Sequence, residues 1–435
     1  MTLRATAALI GVLAAGMAVA AAPPADRHLG VASCAGSACH GAAKFSGGNV
    51  RQDEYLRWQR EDHHSRAYAT LRSERSQRIA ANLGLRDPVE APECVTCHAD
   101  VVPDAERGER YHLSDGVGCE ACHGASERWL SSHARGFKSH KDRLAAGLYP
   151  TWEPKARAEL CLSCHQGDAR RPMTHAIMGA GHPPLLFELD TFVALQPAHF
   201  EPDADYVARK GKPDDARLWI VGQAVAARGL LAGIGGPALG DGLFPELVWF
   251  DCNACHHAMQ PPRWEARAGS GPGRVRLADS SLHFTALWLD VVQPSLAEKW
   301  REQVRQLHAA STRSAAELRE RAATAGQWLE TELLPLAAKH EHSSAQLRAL
   351  ALLVADQGAG PRAGDFSIAE QTAMATAVFA TALGQATGKK AGKPLQAAID
   401  AVYAAVEKRD RYEPEKMRNA LRQVREQVAR TYPAK

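Results

Sequence analysis

All ten cysteines of the chain fall into five pairs, and every second cysteine is followed at once by a histidine. Four pairs are C-x-x-C-H: Cys94/Cys97/His98, Cys119/Cys122/His123, Cys161/Cys164/His165 and Cys252/Cys255/His256. The first in the chain is wider, C-x4-C-H: Cys34/Cys39/His40. Three chemistries use paired cysteines. Exported chains form disulfides, paired C-x-x-C can hold structural zinc, as the Cys94–Cys122 spacing suggests, and C-x-x-C-H attaches a c-type haem. The histidine separates them. With 19 His in 435 residues, five of five by chance has a probability on the order of 10⁻⁷. A disulfide needs no such residue, and zinc has no reason to repeat it. Haem attachment needs it, because two thioethers fix the porphyrin and the next residue sets an imidazole beneath the iron. The expected cofactor is haem c, five copies, covalently held, with His40, His98, His123, His165 and His256 as proximal ligands. The wide spacing is a variant met in low-potential multihaem cytochromes. Its other reading is a Cys34–Cys39 disulfide.

The N-terminus reads as a targeting segment over residues 1–22. Arg4 is the positive start, Ala5 to Ala20 is small and apolar, and Ala18-Val19-Ala20 is a cleavage site, with Ala20-Ala21-Ala22 close behind. The apolar run is short for a membrane span, and no later segment reads as one. The expectation is an exported, soluble, periplasmic protein. The formal charge of +3 carries no electrostatic footprint for nucleic acid. Five haems with two propionates each bring the processed chain to roughly −3 oxidised and −8 reduced.

A low-spin haem needs a sixth ligand; a second His keeps the potential low and Met raises it. Near the motifs lie His63, His64, His112, His133, His140, His175, His182, His199 and His257, with Met173, Met178 and Met259. Methionine is more often packing. The run Asp53–Leu85 has helical periodicity, with Leu56, Gln59, His63, Ala67 and Leu71 on one face. A helix points the adjacent His63 and His64 in different directions, and periodicity does not choose between them. His133 follows the third motif closely. His175 and His182 bracket Ala176–Gly181, whose glycines let backbone approach a flat cofactor, and Pro183-Pro184 stops any helix.

Several stretches resemble exported multihaem c-type cytochromes. They are Gly30–Cys34 through His40-Gly41, Glu54-Tyr55 to Trp58, Asp62–Tyr68, Asp115–Gly124, and Ala180-Gly181-His182-Pro183 to Phe187-Glu188-Leu189. They are similar to the tetrahaem cytochrome that accepts electrons from hydroxylamine oxidoreductase, over about residues 28–262. The resemblance implies helical, loop-rich structure around packed haems, bis-His ligation at most of them, and sometimes one open face. It selects His64 over His63, because the family's ligand precedes a tetrad like Ser65-Arg66-Ala67-Tyr68. His133 and His182 match in the same way. With His175 these make the candidate distal set: His64, His133, His175 and His182. The fifth motif, the wide first motif and the long C-terminal region depart from the tetrahaem pattern.

The fold class expected is mainly α: a loop-rich multihaem domain over residues 23–262, a linker over 263–280, and a helical bundle over 281–435. Motif gaps are irregular, so there is no fixed repeat. Glu201–Lys212 reads as a surface loop, Leu218–Leu231 as a helix and Gly233–Gly242 as a Gly-rich connection. Helical periodicity marks Leu282–His308, Ser311–His340, Ser344–Asp356, Ile368–Thr387, Pro394–Lys408 and Pro414–Tyr432. Asp365, Ser367 and Glu370 form a capping start. His257 and His283 are secondary ligand candidates.

Electron transfer between redox partner proteins is the leading function, since linked haems need no substrate pocket. The alternative is an enzyme with one open iron acting on a small nitrogen or sulfur compound, with His112, Asp115, Glu120 and His140 beside the motifs. No C-x-x-C-K occurs, which excludes the lysine-ligated haem of nitrite reductases. A third class is a docking scaffold whose working part is the bundle.

Overall fold

A computed structural model describes residues 26–44, 51–136, 139–236, 246–256 and 276–434. The leader at 1–22, most of the linker, His257 and Met259 lie outside them. The described chain is mainly α, and among the described residues the β pairing consists of two isolated bridges, His28 with Arg107 and Phe250 with Leu277.

Two regimes of packing share the chain. Before Ala158 the buried apolar side chains are Val31, Leu71, Ala80, Ala91, Val95, Ala99 and Trp129. Helices there are short, such as Glu54–Glu61, Pro92–His98 and Cys119–His123. From Ala158 onward one continuous apolar core runs to Tyr432. It is built by helices Pro154–His165, Asp215–Gly235, Ser280–Val292, Pro294–Ala310, Ala315–Trp328, Ser344–Gly358, Phe366–Thr387, Lys393–Val406 and Pro414–Thr431. Their ends follow local chemistry. Ser343 and Gln346 make a capping box, and Asp365 caps Phe366–Thr387. Pro294, Pro394 and Pro414 occupy first turns, where a missing N–H costs nothing.

The Asp215–Gly235 helix is central. It packs on Pro154–His165, Ser280–Val292, Ala315–Trp328 and Phe366–Thr387. By length and composition it is apolar enough to cross a membrane, which corrects the expectation that no later segment qualifies. Here its apolar faces are covered by neighbouring helices. Gly233 lets the Trp249 ring, just before the fifth motif, lie against it, since a Cβ there would meet that ring at 2.2 Å.

Four local expectations change. The 282–308 run is two helices, Ser280–Val292 and Pro294–Ala310, parted at Gln293 because the following Pro294 disfavours a helical conformation there. The 201–212 stretch contains a helix, Ala204–Lys210, whose first turn is held by Asp203 accepting the Tyr206 N–H at 2.8 Å. The 311–340 run is interrupted by a wider π turn at Leu329–Leu333, just before Pro335, which supplies no N–H to the helical ladder. The Asp53–Leu85 run is not one helix. It breaks into Glu54–Glu61, a 3-10 turn at His63–Arg66, Ala67–Thr70 and Glu74–Asn82. The break is made by Asp62, whose carboxylate accepts the His64 N–H at 3.0 Å.

Trp219 is 1% exposed and meets the rings of Phe284 and Phe379 edge-on at 5.8 and 4.8 Å. Trp219→Ala is expected to cost about 3–5 kcal/mol. Guanidinium unfolding followed by circular dichroism checks this, and an unchanged midpoint would refute the central role of this helix.

Candidate functional site

The C-x-x-C-H spacing becomes geometry in a helix. Positions i, i+3 and i+4 share one face, so both sulfurs and the imidazole point the same way. Cys94/Cys97/His98 end the Pro92–His98 helix, Cys119/Cys122/His123 make up their own, and Cys161/Cys164/His165 end Pro154–His165. Cys252 begins a 3-10 turn. The wide motif is a turn instead, with the Cys39 N–H donating to Gly36 O at 2.8 Å and the His40 N–H to Cys34 O at 3.2 Å. Gly41 closes it, since a Cβ there would meet Ala35 O at 2.0 Å.

All ten cysteines are free thiols, Cys34 and Cys39 included. Among the described residues no group of three or more His, Cys, Asp or Glu is placed to hold a bare metal ion.

Each motif histidine faces one histidine from a distant part of the chain. His40 faces His133 with ring centres 6.0 Å apart, His98 faces His182 at 6.4 Å and His123 faces His199 at 6.2 Å. His165 faces His64 at 6.0 Å and His256 faces His175 at 6.1 Å. The four distal candidates each stand opposite a motif. The fifth partner, His199, lies between helices Leu189–Leu195 and Ala204–Lys210. In the sequence it is one of several histidines near the motifs, and no local pattern marks it. The signal that could have found it is arithmetic: five motifs and four partners. His63 is exposed beside Arg66.

The separation has a simple physical meaning. Two imidazoles on one metal, each with a bond of about 2.0 Å and a ring centre about 1.1 Å beyond its nitrogen, have centres about 6.2 Å apart. Direct ring contact would bring them closer. The five gaps therefore fit an iron between each pair, and the sparse apolar core before Ala158 fits a chain that packs on a large flat group.

Neighbouring groups fix which nitrogen faces the gap. His40 Nδ1 donates to Glu54 Oε2 at 3.0 Å and His64 Nδ1 to Asp62 Oδ1 at 2.8 Å. His98 Nδ1 donates to Ala67 O at 3.0 Å and His182 Nδ1 to Pro183 O at 2.7 Å. Each bond leaves Nε2 free. The hydrogen bonds to Glu54 and Asp62 raise the pKa of His40 and His64, while burial lowers His123 and His165 to about 4. Asp62 also accepts from Gln196 Nε2 at 2.9 Å.

The attachment points lie close together. The Cys34 and Cys119 thiols are near enough to perturb each other's pKa, as are those of Cys97 and Cys164. Cys122 feels the charge of Cys161. His165 and Cys252 line one cleft. Of the acid–base candidates, His112 is exposed and His140 lies on the Trp152 ring at 4.2 Å. Burial raises the Asp115 carboxyl. Glu120 is not a solvated group; it is buried and accepts the N–H of Leu29, Gly30 and Ser126 at 2.8, 2.7 and 2.8 Å.

Residues 33–124, which span the first three motifs, match the family model for cytochrome c554 and c-prime. This supports a c-type cytochrome electron carrier with covalently bound haem c, and members of the matched family are typically exported. The fourth and fifth motifs and the bundle lie beyond the match. No curated protein and no solved structure matches the chain.

Glu120→Ala strips the acceptor from three N–H groups and is expected to destabilise by about 3 kcal/mol, with Glu120→Gln losing less. Chemical denaturation of the two variants checks this, and equal stability of Glu120→Ala and the parent would refute it.

Proposed function

We propose that this chain is a periplasmic multihaem c-type cytochrome. It carries five haem c groups, each between two histidines, and passes electrons between redox partner proteins. The observation that carries the reading is the set of five facing histidine pairs at 6.0–6.4 Å. The pairs are His40/His133, His98/His182, His123/His199, His165/His64 and His256/His175. A histidine available on both faces of every site supports the electron-carrier reading over the enzyme one. Arg4 and the apolar stretch behind it support export. The likeness to the acceptor of hydroxylamine oxidoreductase makes an enzyme that oxidises small nitrogen compounds a suitable donor class.

When bound, each haem supplies a one-electron ferric/ferrous couple. The chain's residues do the rest. Paired cysteines would fix each group's position, paired histidines would ligate its iron, and Glu54 and Asp62 would orient two of the ligands and enrich them in electron density. The mutual influence of Cys34 and Cys119 and of Cys97 and Cys164, the charge of Cys161 felt at Cys122, and the shared His165–Cys252 cleft support a linked set of five sites. The first joins the third, the third the fourth, and the fourth both the second and the fifth.

The ring planes set the spectroscopy. Three pairs are nearly perpendicular, at 88°, 84° and 87°, and two are closer to parallel, at 10° and 30°. Perpendicular imidazoles leave two iron d orbitals nearly degenerate, which gives a strongly anisotropic low-spin signal; parallel ones split them and give a rhombic signal. Low-temperature EPR of the oxidised protein, with haem quantified, is expected to show five low-spin haems in a three-to-two division of these types. A high-spin signal worth one haem would restore the enzyme reading.

His199→Ala is expected to convert one of the five haems to high spin without loss of covalent haem. His63→Ala should leave the spectrum unchanged. An unaltered His199→Ala spectrum would remove that residue from the ligand set.

A further inference from the structure

The fifth motif is fastened to the C-terminal bundle. The Asp251 N–H donates to Arg276 O and the Ala278 N–H to Trp249 O, both at 2.8 Å. The buried Arg276 guanidinium pairs with Asp251 and, at 3.5 Å, with Asp365, the cap of helix Phe366–Thr387. Ser367 Oγ donates to Asp251 Oδ1 at 3.2 Å and to Asp365 Oδ1 at 3.1 Å. Breaking a buried ion network leaves an uncompensated charge, so the turn bearing Cys252 is held firmly to the start of that helix.

One turn further along, the same helix brings charge to the site. Cys252 and Asn253 line one side of the cleft, and Phe366, Glu370 and Arg409 line the other. Arg409 pairs with Glu370 at 3.5 Å, lies over the Phe366 ring at 5.0 Å and lines the same cleft as Cys252. The Glu370 side chain is 13% exposed. Its burial pushes the carboxyl up to about 7, against the pull of Arg409. The other charges at this face, Asp251, Arg276 and Asp365, are tied up in the buried network. Charges in such a cleft act through a dielectric far below that of water.

We propose that Arg409 and Glu370, supplied by the C-terminal bundle, set the reduction potential of the haem attached at Cys252 and Cys255. The proposal rests on the five-haem reading. The couple is one electron exchanged with the adjoining fourth site, with no bond made or broken. A cation nearby disfavours ferric iron and an anion favours it, so the two residues act in opposite senses. They are tuning residues, not ligands.

The test is a redox titration of the holoprotein at pH 8, where Glu370 is ionised, resolved into components by absorbance and EPR. His175→Met marks the fifth component by raising it. Arg409→Gln is expected to shift that component down and Glu370→Gln to shift it up. Arg411→Gln, at an exposed position two residues away, should move nothing. No shift, shifts in a different component, or shifts of the same sign in both variants would overturn the proposal. Intact-mass and peptide analysis separates the two levels: a parent protein without haem on the Cys252–Cys255 peptide overturns the five-haem reading itself.

Discussion

The facing imidazoles are the constraint on which the N-terminal part of the chain depends. Before Ala158 few side chains form an apolar core, and the helices are too short to be stable alone. On the five-haem reading, each motif histidine must meet a partner far away in sequence. An iron shared by His98 and His182, or by His123 and His199, would close a long loop much as a cross-link does. Haem-iron ligation would then contribute folding free energy. The short helices need only present three positions on one face, which a single turn or two accomplishes.

The bundle obeys the opposite economy. Its helices are long, capped and amphipathic, and they bury Trp219, Trp288, Trp300 and Phe379 in one core. The two regimes meet along helices Pro154–His165 and Asp215–Gly235. The first carries the fourth motif and the second supports Trp249 through Gly233. The bundle is therefore not appended beyond the sites. It forms the floor on which the fourth and fifth are set, and the Arg276 network bolts the latter down.

Legibility followed the range of the interaction. The cysteine–histidine spacing is local, so all five motifs could be read directly, as could most bundle helices and the Asp365 cap. The partners are decided by tertiary placement. Resemblance selects His64, while helical periodicity does not choose between His63 and His64; the Asp62 side chain ends that periodicity by capping a 3-10 turn. His199 stands in a loop with no repeating neighbour, so only a count of motifs against partners could point to a missing residue. The helix at Ala204–Lys210 was hidden by flanking Pro and Gly, and the π turn at Leu329–Leu333 arises from one proline inside an otherwise uniform pattern.

On the five-haem reading, the surroundings of the ligands make the sites unequal. His40 and His64 lean on the carboxylates of Glu54 and Asp62, which strengthens imidazole donation and favours ferric iron at the first and fourth sites. His98 and His182 lean on neutral carbonyls, so the second site lacks that anionic support. The fifth sits beside Arg409, which pulls the other way. The fourth site borders both, so an electron arriving there has two neighbours less inclined to remain oxidised. A chain of chemically identical cofactors thereby acquires branches of different affinity, and the difference is written in carboxylates, carbonyls and one guanidinium rather than in the haems.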